Sequence, residues 1–216
     1  MKTGLFFGSF DPIHKSHIAI ANNNLLNRLI KEVWFVITPE NPFKKGRIYT
    51  KHEDRKAMVD IAIQNYPTFV SCDIEFKLPP PYYTANTLRH FTEIYPNNDF
   101  VIIMGSDNYR DLVNKKWKDS EYILKSFQIC IYNRNKSFVI SKQPTIHLNN
   151  IDQKKCCENI ILPGEVLSIS STLIRKTLKY NVNNHLKNPI SLSSSPLEYI
   201  DKKVLEYIYN HKLYIA

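Results

Sequence analysis

The stretch Leu5-Phe6-Phe7-Gly8-Ser9-Phe10-Asp11-Pro12-Ile13-His14-Lys15-Ser16-His17-Ile18 passes from an apolar run through a glycine turn into a helical pattern. That order decides the fold. A strand that ends in a polar turn and opens a helix is the unit from which parallel α/β sheets are built, and its turn is where such sheets bind ligands. Similar apolar runs recur at 33–37, 100–104 and 129–132, each followed by a turn or polar segment and several by a helical pattern. The alternation predicts an α/β protein with a parallel sheet. At 70–76 the apolar side chains Val70, Cys72, Ile74 and Phe76 alternate strictly, which predicts a strand with one buried face.

Helices are legible from spacing and caps. Ile18, Ala21, Leu25 and Leu29 recur every three or four residues and predict the first helix. Thr50-Lys51-His52-Glu53 reads as a capping box ahead of Met58, Ile61 and Ala62. Ser195-Pro196-Leu197-Glu198 combines a capping box with proline at the first helical position, so a last helix is expected over about 196–211. The Asn- and Ser-rich residues 181–195 read as a connection between helices, and 133–158 as a polar excursion. No internal repeat or boundary divides the chain, and residues 1–216 are expected to form one domain with a C-terminal helical portion at 181–216.

Composition narrows the function. The chain has 216 residues, 43% hydrophobic and 23% charged, the balance of a folded globular protein rather than a disordered one. No apolar run approaches the ~20 residues needed to span a bilayer, and Met1-Lys2-Thr3-Gly4-Leu5-Phe6-Phe7 runs into Gly8-Ser9-Phe10-Asp11-Pro12, too short and too soon polar for a secretory signal. A cytoplasmic protein without a membrane partner is the expectation. Twenty-nine Lys and Arg against twenty Asp and Glu leave +9, which attracts polyanions or phosphorylated metabolites. The basic residues are dispersed (Lys44, Lys45, Arg47; Lys115, Lys116, Lys118; Lys154, Lys155), with no dense basic arm, and no nucleic-acid partner is expected. Cys72, Cys130, Cys156 and Cys157 lack zinc-site spacing; Cys72 and Cys130 lie in strand-like runs and read as core thiols.

Four constellations could carry chemistry. In the first, Gly8 permits close backbone approach, and His14 and His17 stand three apart at a helix start, where both imidazoles could meet one anion. Taken alone, an HxxH is more often a turn with two surface histidines; metal ligation would need a third ligand. In the second, Ser168-Ile169-Ser170-Ser171-Thr172-Leu173-Ile174-Arg175 follows Ile160-Ile161-Leu162 and sets Ser171 and Arg175 one turn apart, a phosphate cradle or a plain N-cap with a solvated arginine. In the third, Gly105-Ser106-Asp107 ends a strand with a carboxylate suited to ribose hydroxyls or to helix capping. The fourth is aromatic: Tyr82-Tyr83-Thr84 after three prolines, and Trp117 among lysines, a stacking platform or a packing residue.

Together these residues resemble a known family. The 8–17 segment is similar to the GxFDPxHxGH signature of the nucleotidylyltransferase superfamily, and Ser168–Arg175 to its ISSTxIR motif, in the expected order. Within that superfamily the chain resembles the bacterial nicotinate-mononucleotide adenylyltransferases: Asn41-Pro42-Phe43-Lys44 is similar to their PPHK-type loop, Tyr83-Thr84-Ala85-Asn86-Thr87-Leu88 to YTxDTL, and Met104-Gly105-Ser106-Asp107 to IxGxD, while Trp117 and the 207–214 stretch also fit. Ser16 stands where the family has glycine, Phe43 where histidine is common and Asn86 where aspartate is usual. The resemblance implies a Rossmann-like doubly wound parallel sheet and transfer of adenylate from ATP to nicotinate mononucleotide, giving deamido-NAD and pyrophosphate.

It also implies roles. His14, His17, Lys44 and Arg175 would be catalytic. ATP would be held by Gly8, Ser9, Phe10, His14, His17, Gly105, Asp107, Ser170, Ser171 and Arg175, and the mononucleotide by Lys44, Tyr83, Thr84 and Trp117. Magnesium would arrive on the ATP phosphates, with no metal ligand from the protein. A homo-oligomer is compatible with this reading. Its rivals are an adenylyltransferase for nicotinamide mononucleotide or phosphopantetheine and, in another class, a non-catalytic nucleotide- or RNA-binding protein.

Overall fold

Strands covered by helices on both faces must be apolar at nearly every position, and the runs at 5–7, 33–37, 100–104 and 129–132 meet that demand. The computed structural model describes residues 2–23, 28–40, 49–133, 159–162, 169–183 and 195–215. It contains strands β1 (Lys2–Gly8), β2 (Ile30–Ile37), β3 (Phe69–Cys72), β4 (Phe100–Gly105), β5 (Gln128–Tyr132) and β6 (Ile160–Ile161). They form one sheet in the order β3-β2-β1-β4-β5-β6, and every neighbouring pair is parallel. The helices are α1 (Lys15–Ala21), α2 (His52–Ile63), α3 (Thr84–Ile94), α4 (Ser106–Val113), α5 (Ser120–Ser126), α6 (Ser171–Asn183) and α7 (Lys202–Asn210), with 3-10 turns at Ile74–Lys77 and Pro196–Tyr199.

The expected α/β, Rossmann-like doubly wound architecture is therefore present. Successive side chains of β1 point to opposite faces: Phe6 joins a cluster with Phe35, Met58, Ile174, Leu178 and Val204, whereas Leu5 joins Val36, Leu88, Phe91, Leu112 and Ile123. One layer carries α1, α2, α6 and α7, and the other α3, α4 and α5. Cys130 is buried in β5 and Cys72 half-buried in β3; burial pushes their thiols up to about 12 and about 11, as inert core thiols.

Several local expectations are corrected. The strand read over 70–76 ends at Cys72, and its buried residue is Phe69, stacked on Tyr66 and tilted against Phe35, while Val70 is 37% exposed. On this edge strand an aromatic side chain outweighs the alternation of smaller ones, and after Asp73 the chain tightens into a 3-10 turn that sends Ile74 and Phe76 to different clusters. The first helix stops at Ala21, where the Asn22 N–H bonds the Ile18 carbonyl; Leu25 lies outside the described residues and Leu29 packs on the first cluster just before β2. Thr50 does not cap α2. Its hydroxyl donates instead to the buried carboxylate of Asp11, a charged acceptor that outcompetes a helix-end N–H. The expected last helix is two elements: Ser195 caps only a 3-10 turn, and Asp201 restarts the chain as α7 by accepting from the Lys203 and Val204 N–H groups. Leu197 in the 3-10 turn and Val204 in α7, one on each side of that break, are both buried. The segments 134–158 and 184–194, Lys44 with the rest of 41–48, Cys156, Cys157 and Ser168 lie outside the described residues.

A buried acid ties the 3-10 turn at Ile74–Lys77 to α3 and to the end of β2. Glu75 is 1% exposed; its Oε1 accepts from the Thr87 hydroxyl of α3 at 2.6 Å, Thr38 beyond β2 also bonds it, and Oε2 has no partner among the described residues. Burial raises this carboxyl from an ordinary 4.5 to about 7, against the opposing pull of the two threonines. Because the folded state favours the protonated form, this contribution to stability is complete below pH 4.5 and is lost as the pH rises through 7. Glu75→Gln, uncharged throughout, should therefore gain on the wild type between about pH 5 and about pH 8 by on the order of 3 kcal/mol. Urea unfolding at the two pH values checks this, and parallel profiles for the two proteins would contradict it.

Candidate functional site

The strand order reverses between β1 and β4, and open parallel sheets bind ligands outside the carboxyl ends of strands at such a point. A cleft of about 520 Å³ lies there, lined by Gly8 at the end of β1 and Gly105 at the end of β4. The described residues expected to carry function converge on it. Ser9, Phe10, His14 and His17 come from the β1–α1 loop and α1; Tyr83 and Thr84 from the start of α3; Asp107 from the first turn of α4; Trp117 from the turn before α5; Ser170, Ser171 and Arg175 from the start of α6. Lys44 lies outside the described residues.

Packing shapes the β1–α1 loop. Phe10 is buried at φ 47, set edge-on to Phe6 and His17, and a Cβ on Gly8 would lie 2.9 Å from its ring. Glycine at position 8 thus makes room for Phe10, a cause different from the close ligand approach that the sequence suggested. The Asp11–Pro12 peptide is cis, and a second cis bond, Pro80–Pro81, precedes the tyrosines that line the opposite part of the cleft.

His14 is extended at the N-cap of α1, not on the helix face, and is buried. Its backbone N–H donates to Nδ1 of His17 at 3.2 Å, and the two rings stack 3.8 Å apart at 29°. With Nδ1 accepting, the neutral His17 ring carries its proton on Nε2 as a donor. Burial excludes the surface reading for His14, while His17 is half-buried against Phe6 and Phe10; the stacked rings suit two neighbouring oxygens of an anion better than one metal ion. Among the described residues no group of three His, Cys, Asp or Glu side chains is placed to hold a metal.

The start of α6 is tied to the same loop. The Ser170 oxygen accepts from the Leu173 N–H, and the Ser171 hydroxyl donates to the Pro12 carbonyl at 2.9 Å. Ser170 is therefore a capping oxygen, and Ser171 fastens the helix to the loop. Nη1 of Arg175 donates to the Asp11 carbonyl, Nη2 to the Thr172 hydroxyl at 3.2 Å, and the guanidinium lies 4.1 Å from the Tyr49 ring. Asp107 is not a capping residue, since Gly105 holds that position; its carboxylate is exposed, 3.5 Å from Arg110. Trp117 lines the cleft and is also packed, partly buried, against the second core cluster.

Sequence reasoning missed the residues beneath the site. Arg55, on α2, is 1% exposed; its Nη1 donates to the carbonyls of Ser9 and Thr38 at 2.8 and 2.7 Å, and Nη2 to that of Pro39 at 2.9 Å. Desolvation lowers its pKa and the charge of Asp11 opposes that shift. Asp11, also buried, accepts from the Tyr49 N–H and from the hydroxyls of Thr50 and Tyr214. Asp11 was visible within the quoted motif, but nothing local announced its partners, which lie up to 203 positions away. Arg55 stands three and four residues before the buried Met58 and Val59, and a charged side chain on that apolar face of α2 was the one local signal of it.

The cleft can thus hold an extended anion between imidazoles and a guanidinium, a ribose near Asp107 and a planar ring near Trp117. Comparison with known proteins accords with that geometry. The family model described as cytidylyltransferase-like matches residues 5–177. A Flavobacterium johnsoniae protein named as a probable nicotinate-nucleotide adenylyltransferase is 37% identical over 214 residues, covering 99% of each chain. A Flavobacterium psychrophilum protein of the same name is 40% identical over 183 residues, 85% of this chain and 89% of that one. The fold is shared with the solved nicotinic acid mononucleotide adenylyltransferase of Plasmodium falciparum complexed with NaAD, at TM-score 0.69 and 24% identity over 99% of this chain and 98% of that one. From the β1–β4 cleft and its stacked histidines to nearly its full length, the chain belongs to the cytidylyltransferase-like family, alongside the nicotinate-nucleotide adenylyltransferases.

Proposed function

We propose that this chain is a nicotinate-nucleotide adenylyltransferase, folded as one nucleotidylyltransferase domain over 1–216, that transfers the adenylyl group of ATP to nicotinate mononucleotide in NAD biosynthesis. The observation that carries the reading is a single cleft lined at once by His14, His17 and Arg175, by Asp107, and by Thr84 and Trp117. A dinucleotide product needs two nucleoside sites joined at a phosphate site, and this cleft has the chemistry for all three. The net charge of +9 favours two polyanionic substrates.

A phosphate oxygen of the mononucleotide attacks the α-phosphorus of ATP in line, forming the new P–O bond as the bond to the β-phosphate oxygen breaks and pyrophosphate departs. Positioning and charge neutralisation supply most of the rate in such transfers. His17 donates from Nε2 to the phosphates, and His14, held rigid at the N-cap, stacks against it. Arg175 takes the β- and γ-phosphates, joined by Lys44; Ser170 and Ser171 hold the helix end beside them. Gly8, Ser9, Phe10 and Gly105 shape the adenylate side, where Asp107 accepts from ribose hydroxyls. Tyr83, Thr84 and Trp117 take the mononucleotide, the indole stacking on its pyridine ring. Magnesium bound with the ATP would supply further neutralisation of the phosphates, and the donor-rich histidines and arginine suit the anion rather than the cation.

Purified protein with Mg-ATP should release pyrophosphate with nicotinate mononucleotide, and much less with nicotinamide mononucleotide or phosphopantetheine. Silence with all three mononucleotides or carriers, together with a salt-sensitive RNA complex, would support the binding-protein alternative. His17→Ala should lower kcat by about a hundredfold in a protein that still folds, with a lower melting temperature because the His14 N–H loses its acceptor; a folded variant of normal turnover would refute its role. Trp117→Ala should raise KM for the mononucleotide by about tenfold and leave that for ATP within about twofold. Equal rises for both substrates would make Trp117 a packing residue.

A further inference from the structure

We propose that the Tyr214 hydroxyl, acting through the Asp11 carboxylate, is a positioning group for Arg175 and so sets the affinity of the site for the triphosphate; naming that anion rests on the adenylyl-transfer reading. Asp11 does not line the cleft, yet it reaches Arg175 by two routes. Its backbone carbonyl accepts from Nη1 of Arg175, and its Oδ2 accepts from the Tyr49 N–H at 2.9 Å, fixing the residue on whose ring the guanidinium lies. A shift of the Asp11 carboxylate therefore moves both supports of the arginine.

Two hydroxyls hold that carboxylate from the other side. Thr50 Oγ1 and Tyr214 Oη each donate to Oδ1 at 2.7 Å and lie 3.3 Å from one another. Tyr214 arrives from the turn after α7, at φ 64, with its hydroxyl buried and its pKa pushed further up by desolvation and by Asp11, so it stays a donor at physiological pH. At 1% exposure Asp11 has no access to bulk water that could replace a lost donor. Without the Tyr214 hydroxyl the carboxylate gains by turning towards other donors, and the Tyr49 N–H and Asp11 carbonyl turn with it. A hydroxyl that merely stabilised the fold would lower the melting temperature and leave the folded molecules' affinity for ATP untouched.

The full chain carrying Tyr214→Phe, which keeps the ring and removes only the oxygen, tests this. Calorimetric titration with Mg-ATP alone needs no turnover, and the dissociation constant should rise about tenfold, the scale of one charge-assisted hydrogen bond. Thr50→Val, which removes the other donor to the same oxygen, should shift it in the same direction. Tyr207→Phe is the control: its hydroxyl donates to Asp54 at 3.0 Å where α7 meets α2, and its loss should lower the melting temperature with ATP affinity unchanged. Wild-type ATP affinity in a folded Tyr214→Phe protein, or equal weakening in Tyr207→Phe, would overturn the proposal. A wild type that binds Mg-ATP but turns over no mononucleotide would overturn the functional reading instead, and the titration would still decide the role of Tyr214.

Discussion

The site depends on a charge held where water does not reach. Arg55 spans from α2 to the ends of β1 and β2 and places its guanidinium on the carbonyls of Ser9, Thr38 and Pro39. Burying a cation costs several kcal/mol unless hydrogen bonds and an opposing charge offset it, and here three carbonyls and the nearby Asp11 do so. In return, two loops that no regular ladder would fix are tied to one rigid fork. Thr38 shows the tightness of the arrangement: its N–H donates to the Gly8 carbonyl, its own carbonyl accepts from Arg55, and its hydroxyl bonds Glu75.

Around that anchor the fold divides its labour by strand end. The end of β1 carries the stacked histidines, the end of β4 carries Asp107, and the start of α3, supported from beneath by Glu75 and Thr87, carries Thr84. The start of α6 is bound to the β1–α1 loop twice, through Ser171 to Pro12 and Arg175 to Asp11. Residues that line the cleft and residues that brace it are thus largely different sets, and Asp11, Arg55, Glu75 and Thr87 of the second set are buried. This arrangement suits a transfer reaction in which two flexible, highly charged substrates must meet in one orientation.

What could be read from the sequence follows from how locally each feature is determined. Strands β1, β2, β4 and β5 were legible because a fully covered parallel strand needs an unbroken apolar run, and His14, His17, Asp107 and Arg175 were legible because their spacing relative to a strand end or helix start is local. The edge strand β3 was misjudged because Phe69, just outside the alternating set, decides its buried face through Tyr66 and Phe35. Thr50 was misjudged for a related reason: its capping pattern is local, but its actual partner, Asp11, lies 39 positions earlier. The break at Ile200 and Asp201 arises from what α7 must pack against, which no cap motif encodes. Tertiary partners of buried polar groups are the part of this protein that pattern alone does not carry.

On the proposed function, one cleft at the β1–β4 switch holds both nucleotides with their phosphates against the histidine pair. A crystal structure of the protein with the dinucleotide product, deamido-NAD, tests it most directly. The pyrophosphate bridge should lie beside His14 and His17, the adenosine ribose on Asp107 and the pyridine ring on Trp117. A product bound elsewhere on the sheet, or in this cleft with its two nucleosides exchanged, would contradict it.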